Sequence, residues 1–292
     1  MKITLTGSLG HIGKPLTAKL IGNNHIVTVI SSKPEKQKQI EEMGAEAAIG
    51  SLENAEFVAN SFRGADLVYC MVPPANYFDH NLDLSYYYRS LGNNFSQAII
   101  KSNVSRVINL STFGADLEKG NGILRNAHDV ENILNELPTD VSVTQVRPTC
   151  FFYNLYGYVD SIKTRGFIAA NYGAEKIIPW VSTLDIADTV VEEIEKPFIG
   201  RKIRYISSDE RTGNETASII GAAIGKPDLE WKLFSNEQTQ NGLESIGMQP
   251  RIAAGLVEMY ESLHNGVLSE DYYRNNPMVT GKVKLEDFAV EF

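Results

Sequence analysis

With 292 residues, 43% of them hydrophobic and 22% charged, the chain has enough apolar surface to bury a substantial core, which argues against a disordered or fibrous protein. A net charge of −9 without any cluster of Lys and Arg argues against direct nucleic-acid binding, and no apolar run reaches membrane-spanning length. The opening Met1-Lys2-Ile3-Thr4-Leu5-Thr6-Gly7 enters a strand pattern at once, without the regions of a secretory leader, so a cytoplasmic protein with no membrane attachment is expected.

In chain order, β-branched runs at residues 3–5, 25–30, 45–49, 66–72, 106–110 and 141–146 read as six strands separated by helical patterns. Pro15 and Gly22 bracket the first helix, and Pro34 and Gly44 the second, as start and stop signals should. A longer helix over 82–102 carries Leu84, Tyr88, Leu91, Phe95, Ala98 and Ile99 at three- and four-residue spacing, a stripe suited to packing on a sheet. Such alternation predicts an α/β fold, a doubly wound Rossmann-type parallel sheet built from residues 1–150. Cys70 and Cys150 lie in apolar runs and read as small buried side chains, so neither a disulfide nor a metal site is expected.

Beyond Pro148 the alternation loosens into a Tyr- and Gly-rich stretch over 154–176. Strand patterns at 177–181 and 202–206 then flank a helix over 183–195, whose start is marked by Ser182 as a capping hydroxyl and Asp185 near the positive end. Residues 177–207 are therefore expected to return to the sheet domain, leaving 151–176 and 208–292 as a smaller C-terminal α/β substrate or lid subdomain. In that subdomain, helices over 214–224, 236–246 and 249–264 and a strand over 229–234 are expected, with a short docking segment at 284–292.

The strongest chemical signal is Thr6-Gly7-Ser8-Leu9-Gly10-His11-Ile12-Gly13, placed between the first strand and a Pro-started helix. A turn of this kind needs one glycine where backbone bends sharply, one where it approaches a pyrophosphate, and one where helix meets sheet. The helix that follows offers free N–H groups and a positive dipole end to phosphates. Gly7, Ser8, Leu9, Gly10, His11, Ile12 and Gly13 are thus candidate cofactor-binding residues. The second strand ends Val29-Ile30-Ser31-Ser32-Lys33, with no carboxylate before Glu35 to take ribose hydroxyls. Ser31, Ser32 and Lys33 suit a 2′-phosphate, so NADP(H) is favoured over NAD(H).

These residues resemble the atypical short-chain dehydrogenase/reductases of the NmrA-like kind, which include NADPH-dependent quinone oxidoreductases and NADP(H)-sensing regulators. The resemblance rests on Thr6 to Gly13, Ser32-Lys33-Pro34-Glu35-Lys36, Gly50-Ser51, Phe62-Arg63-Gly64-Ala65-Asp66, Val143 to Thr149 followed by Phe152-Tyr153-Asn154, and Val181 to Asp188. It implies that Met71, Val72, Pro73 and Pro74 lie against the cofactor, and that a hydroxyl such as Ser111 or Thr112 stands near the substrate. The sequence departs from the family's chemistry at the Tyr acid and the Lys four residues on, whose positions fall on Ile123 and Ala127. His128 is the nearest titratable group and the candidate catalytic acid or base.

Two functions follow. In the first, an NADPH-dependent oxidoreductase acts on a quinone or related carbonyl, a small-molecule acceptor held in a pocket lined by Phe113, Phe152 and Tyr153. In the second, a non-catalytic NADP(H) sensor acts through a protein partner. A sugar-nucleotide epimerase or dehydratase ranks below both, because it needs the same missing Tyr.

Overall fold

Short aliphatic runs and helices with one apolar stripe alternate through the first half of the chain. In the computed structural model, which describes residues 1–196, 198–275 and 279–292, they fold as β1 (Lys2–Leu5), α1 (Gly13–Gly22), β2 (Ile26–Ser31), α2 (Gln37–Glu42), β3 (Glu46–Ile49), α3 (Ala55–Phe62), β4 (Leu67–Cys70), α4 (Leu84–Lys101), β5 (Arg106–Leu110), α5 (Arg125–Asn135) and β6 (Ser142–Pro148). A short β7 (Cys150–Phe151), α6 (Val159–Arg165), β8 (Phe167–Ala170), β9 (Ile177–Val181), α7 (Thr183–Glu195) and β10 (Arg201–Ile206) follow. The chain closes with β11 (Asp209–Thr212), α8 (Gly213–Ala223), β12 (Glu230–Leu233), α9 (Asn236–Ser245), α10 (Pro250–His264), α11 (Glu270–Asn275) and α12 (Leu285–Ala289).

Seven strands form one sheet in the order β10-β6-β5-β4-β1-β2-β3, with every neighbouring pair parallel. All residues of β4 and β6 are buried, as parallel strands covered by helices on both faces require. One face packs on α1 and α7 through Leu16, Leu20, Ile186 and Val190. The other packs on α3, α4 and α5 through Phe62, Leu91, Phe95 and Val130. The fold is thus the doubly wound α/β sheet that the sequence predicts. Its strand order reverses at β1, with β2 on one side and β4 on the other, and this places a crevice above the carboxyl ends of those strands. Cys70 and Cys150 are free thiols, the first buried and the second half-buried.

A second core gathers Phe152, Tyr172, Ile178, Trp180, Trp231 and Tyr272 around two small sheets, β11-β9-β7 and β12-β8. Here one strand departs from expectation. Of the segment 177–207, α7 packs on the main sheet and β10 joins it, whereas β9 stands in the three-stranded sheet. β10 already occupies the free edge of β6 along its whole length, from Arg201 opposite Val143 to Ile206 opposite Pro148. Among the described residues, no helix is long and apolar enough to cross a membrane.

Candidate functional site

The turn after β1 is pinned from both sides of the strand reversal. Thr6 Oγ1 accepts from Met71 N at 2.7 Å and donates to Met71 O at 3.0 Å, which ties it to the end of β4. Ser8 N donates to Ile30 O at 3.0 Å, and Ser8 Oγ donates to Ser31 Oγ at 2.9 Å, which ties it to the end of β2. Ser31 Oγ also accepts from Lys33 N at 3.2 Å, so this buried hydroxyl is engaged in holding the turn.

The three glycines differ in what requires them. Gly7 has φ +88°, and a Cβ there would lie 2.3 Å from Met71 Cε. A Cβ on Gly13 would lie 2.1 Å from Ser8 O, so the start of α1 closes on the turn only without one. Gly10 is different, because a Cβ there would meet nothing nearer than Gly7 O at 3.5 Å, an ordinary contact. Gly10 is exposed and lines a groove, so the space left by its missing side chain opens outward. No side chain caps α1 and no acidic residue stands in its first turn, which leaves its positive dipole end unopposed, while Lys14 N donates to Gly10 O at 3.0 Å and Pro15 has no N–H.

The groove has a volume of about 500 Å³. Gly7, Ser8, Leu9 and Gly10 form its floor, while Ser31, Ser32, Lys33 and Lys36 close the end above β2. Ser51, Leu52 and Glu53 stand beyond β3, and Pro73, Pro74, Tyr87 and Leu91 form the opposite wall. Glu53 is the one carboxylate among these described residues. Burial, helped by Glu53 and Tyr77, pushes the Tyr87 hydroxyl up, so it stays protonated and donates to Pro73 O at 3.3 Å. A cradle that a Cβ would narrow, an uncapped helix end and a lysine-bearing corner together fit an elongated phosphate-bearing ligand such as a dinucleotide.

Of the candidate cofactor residues, Gly7, Ser8, Leu9, Gly10, Ser31, Ser32, Lys33 and Pro73 are brought together in this groove. Ile12 is buried in the core, Gly13 is closed against Ser8, Met71 supports the turn, and Val72 packs on the α4 side. His11 does not line the groove, and its ring lies on that of Tyr153 with centroids 3.9 Å apart. Sequence reasoning missed Lys36, Leu52, Glu53, Tyr87 and Leu91 as lining residues. A signal for the last two existed: the first turns of a helix that follows a parallel strand lie near the sheet's carboxyl edge, and the two are four residues apart.

His128 does not stand at the groove. It lines a separate cleft of about 340 Å³ with Asp116, Glu131, Asn132, Gln145 and Arg147. Its Nδ1 donates to Ala115 O at 2.8 Å and its Nε2 accepts from Asn132 Nδ2 at 2.9 Å, so both ring nitrogens are occupied. Phe113 and Phe152 are only 4% and 2% exposed and belong to the second core, whereas Tyr153 is 43% exposed. Ile123 packs with the residues around Leu84 and Ile252, and Ala127 lies in α5. At the ends of β5 and β6 the buried hydroxyls of Ser111 and Thr149 have no partner among the described residues.

The profile of the NmrA-like family matches residues 1–268. Among solved structures, a nucleoside-diphosphate-sugar epimerase from Staphylococcus aureus is 20% identical, with a TM-score of 0.79 and coverage of 99% of this chain and 100% of that one. The Citrobacter triphenylmethane reductase complexed with NADP(H) is 18% identical, with a TM-score of 0.78 and 99% coverage of both chains. An NADPH-dependent quinone oxidoreductase from Escherichia coli, complexed with NADPH, is 15% identical, with a TM-score of 0.81 and 99% coverage of both. No curated protein matches the sequence. At these identities the likeness is one of fold, the doubly wound parallel sheet with its smaller second core.

Proposed function

This chain belongs to the NmrA-like family, and we propose that it binds NADP(H) in the glycine-rich groove and acts as an oxidoreductase on a quinone or related carbonyl acceptor. The observation that carries the reading is Gly10, a glycine that no neighbouring atom of the chain demands, set at the floor of a groove that ends in lysines. The positive end of α1 and the backbone of the turn at Gly10 would hold the pyrophosphate, and Ser32, Lys33 and Lys36 the 2′-phosphate, with no carboxylate among the groove residues above β2 to repel it. Leu52, Pro73, Pro74 and Leu91 would give the adenine an apolar berth. When bound, the cofactor supplies hydride. The chain offers no Tyr–Lys pair at Ile123 and Ala127, so the acceptor would be one that draws its proton from water, with acceleration coming from positioning.

A second reading, an NADP(H)-responsive regulator acting through a protein partner, is favoured by one observation. His128, the candidate acid or base, has both nitrogens occupied and lies in another cleft.

Calorimetry with NADPH and NADH, together with NADPH absorbance followed against a panel of quinones and aldehydes, tests both. Binding with oxidation by a quinone supports the reductase. Binding that no acceptor can discharge leaves the regulator, and no binding of either nucleotide removes both readings. Replacing Lys33 and Lys36 by Ala together is expected to weaken NADPH by about tenfold or more, the worth of a charge-assisted contact, and to leave NADH unchanged. Equal affinity of the unaltered protein for NADH and NADPH would refute the phosphate corner.

A further inference from the structure

We propose that Tyr153, packed on His11, is a movable cover over the half of the crevice that would receive the nicotinamide; the inference rests on the dinucleotide reading above. A dinucleotide lies across the carboxyl ends of strands on both sides of the reversal at β1. The open groove runs from Lys33 and Lys36 past Gly10 to Pro73 and Pro74 after β4, and none of its lining residues comes from the ends of β5 and β6. Beyond Gly10, the next residue of the turn is His11, and its ring meets that of Tyr153 at 3.9 Å between centroids and 39° between planes.

This contact joins the turn to the chain just after β7, so it spans the crevice where the second half of the ligand would lie. Both rings are free to leave it. Among the described residues no hydrogen bond fixes either side chain, Tyr153 is 43% exposed, and its other aromatic neighbour is Tyr156 at 5.5 Å.

A second observation points to a ligand on the covered side. The carboxyl ends of β5 and β6 carry Ser111 Oγ and Thr149 Oγ1, both buried and without a partner, and Thr149 is 2% exposed. Buried hydroxyls are nearly always bonded, so two unpartnered ones on neighbouring strand ends mark where a polar ligand group belongs. The closed pair reduces the apparent affinity of any ligand that must displace it, and leaves untouched one that fits the open groove.

Calorimetry with two probes separates these cases: NADPH, which needs both halves, and adenosine 2′,5′-bisphosphate, which needs only the open one. Tyr153→Ala is expected to tighten NADPH by about two- to tenfold, the range an aromatic pair carries, and to leave the bisphosphate unchanged. Tyr153→Phe keeps the ring and should match the unaltered protein with both probes. Weaker or unchanged NADPH binding by Tyr153→Ala would overturn the cover, as would equal changes for the two probes. If the unaltered protein takes neither probe, the dinucleotide reading itself falls, and the cover with it.

Discussion

Gly7, Gly10 and Gly13 look alike in sequence, and only their surroundings separate them. A side chain on Gly13 drives a methyl group into Ser8 O, and backbone cannot yield as a flexible side chain does. Gly13→Ala should therefore lower stability by about 1–3 kcal/mol, read from the denaturation midpoint. Gly10→Ala should leave that midpoint within about 0.5 kcal/mol of the original. It should nonetheless weaken NADPH by tenfold or more, about the effect of a methyl group thrust against a phosphate that must approach closely. Loss of stability in Gly10→Ala would show that the glycine serves the turn and not a ligand. The spaced glycines made the turn legible from sequence. Lys36 and Tyr87 were not legible as groove residues, because they reach it only through the packing of the segment after β2 and of α4.

At the scale of elements, legibility followed length and local signals. α7 runs from Thr183 to Glu195 as the sequence predicts, because Ser182 Oγ accepts from Leu184 N at 3.2 Å and the apolar stripe runs unbroken behind it. β7, β8 and β11 are two or four residues long and owe their existence to distant partners, such as Cys150 opposite Trp180 and Lys232 opposite Ala169. Length alone does not hide them, since β1, β3, β4 and β12 also have four residues and were legible; β11 is Asp209-Glu210-Arg211-Thr212, without an apolar residue, and β7 is only two residues long. Asp185 of α7 does more than mark a helix start. Its Oδ2 accepts from Ser208 Oγ at 2.6 Å and from Val283 N at 3.0 Å, so one buried carboxylate fastens the chain before α12 to the main domain. Asp185→Ala leaves both donors without that acceptor and should cost about 2–3 kcal/mol. Hydrogen exchange should then rise at residues 283–292 more than in β4 or β6. A uniform rise across the molecule would mean that Asp185 supports the whole core and not this clasp.

At the scale of the molecule, the two cores meet at Arg147. Its guanidinium is bidentate to Glu131 of α5, at 2.9 and 2.6 Å, and reaches Tyr205 Oη at 2.9 Å and Asp271 of α11 at 3.3 Å. Tyr205 also donates to Asp271. Asp116 stands at the mouth of this network, 3.9 Å from Arg147, with His128 on the same cleft wall. Burial raises its carboxyl above the usual range, and the Asp271 and Glu131 carboxylates add to the effect against its own backbone N–H and Arg147.

A carboxyl raised on folding binds its proton more tightly in the native state than in the unfolded one. Its contribution to stability therefore falls as pH rises from the ordinary carboxylate value through the raised one, and above both values the ionised Asp116 is a net cost. Asp116→Asn should remove that cost, because Arg147 keeps its two bonds to Glu131 while the repulsion from Asp271 and Glu131 ends. The variant should be more stable than the unaltered protein at neutral pH. The advantage should shrink to nothing as pH falls below the ordinary carboxylate range. Denaturation midpoints measured across that range decide the matter. An advantage independent of pH would place the effect in packing, and a deficit at neutral pH would mean that the long contact with Arg147 outweighs the burial of the charge.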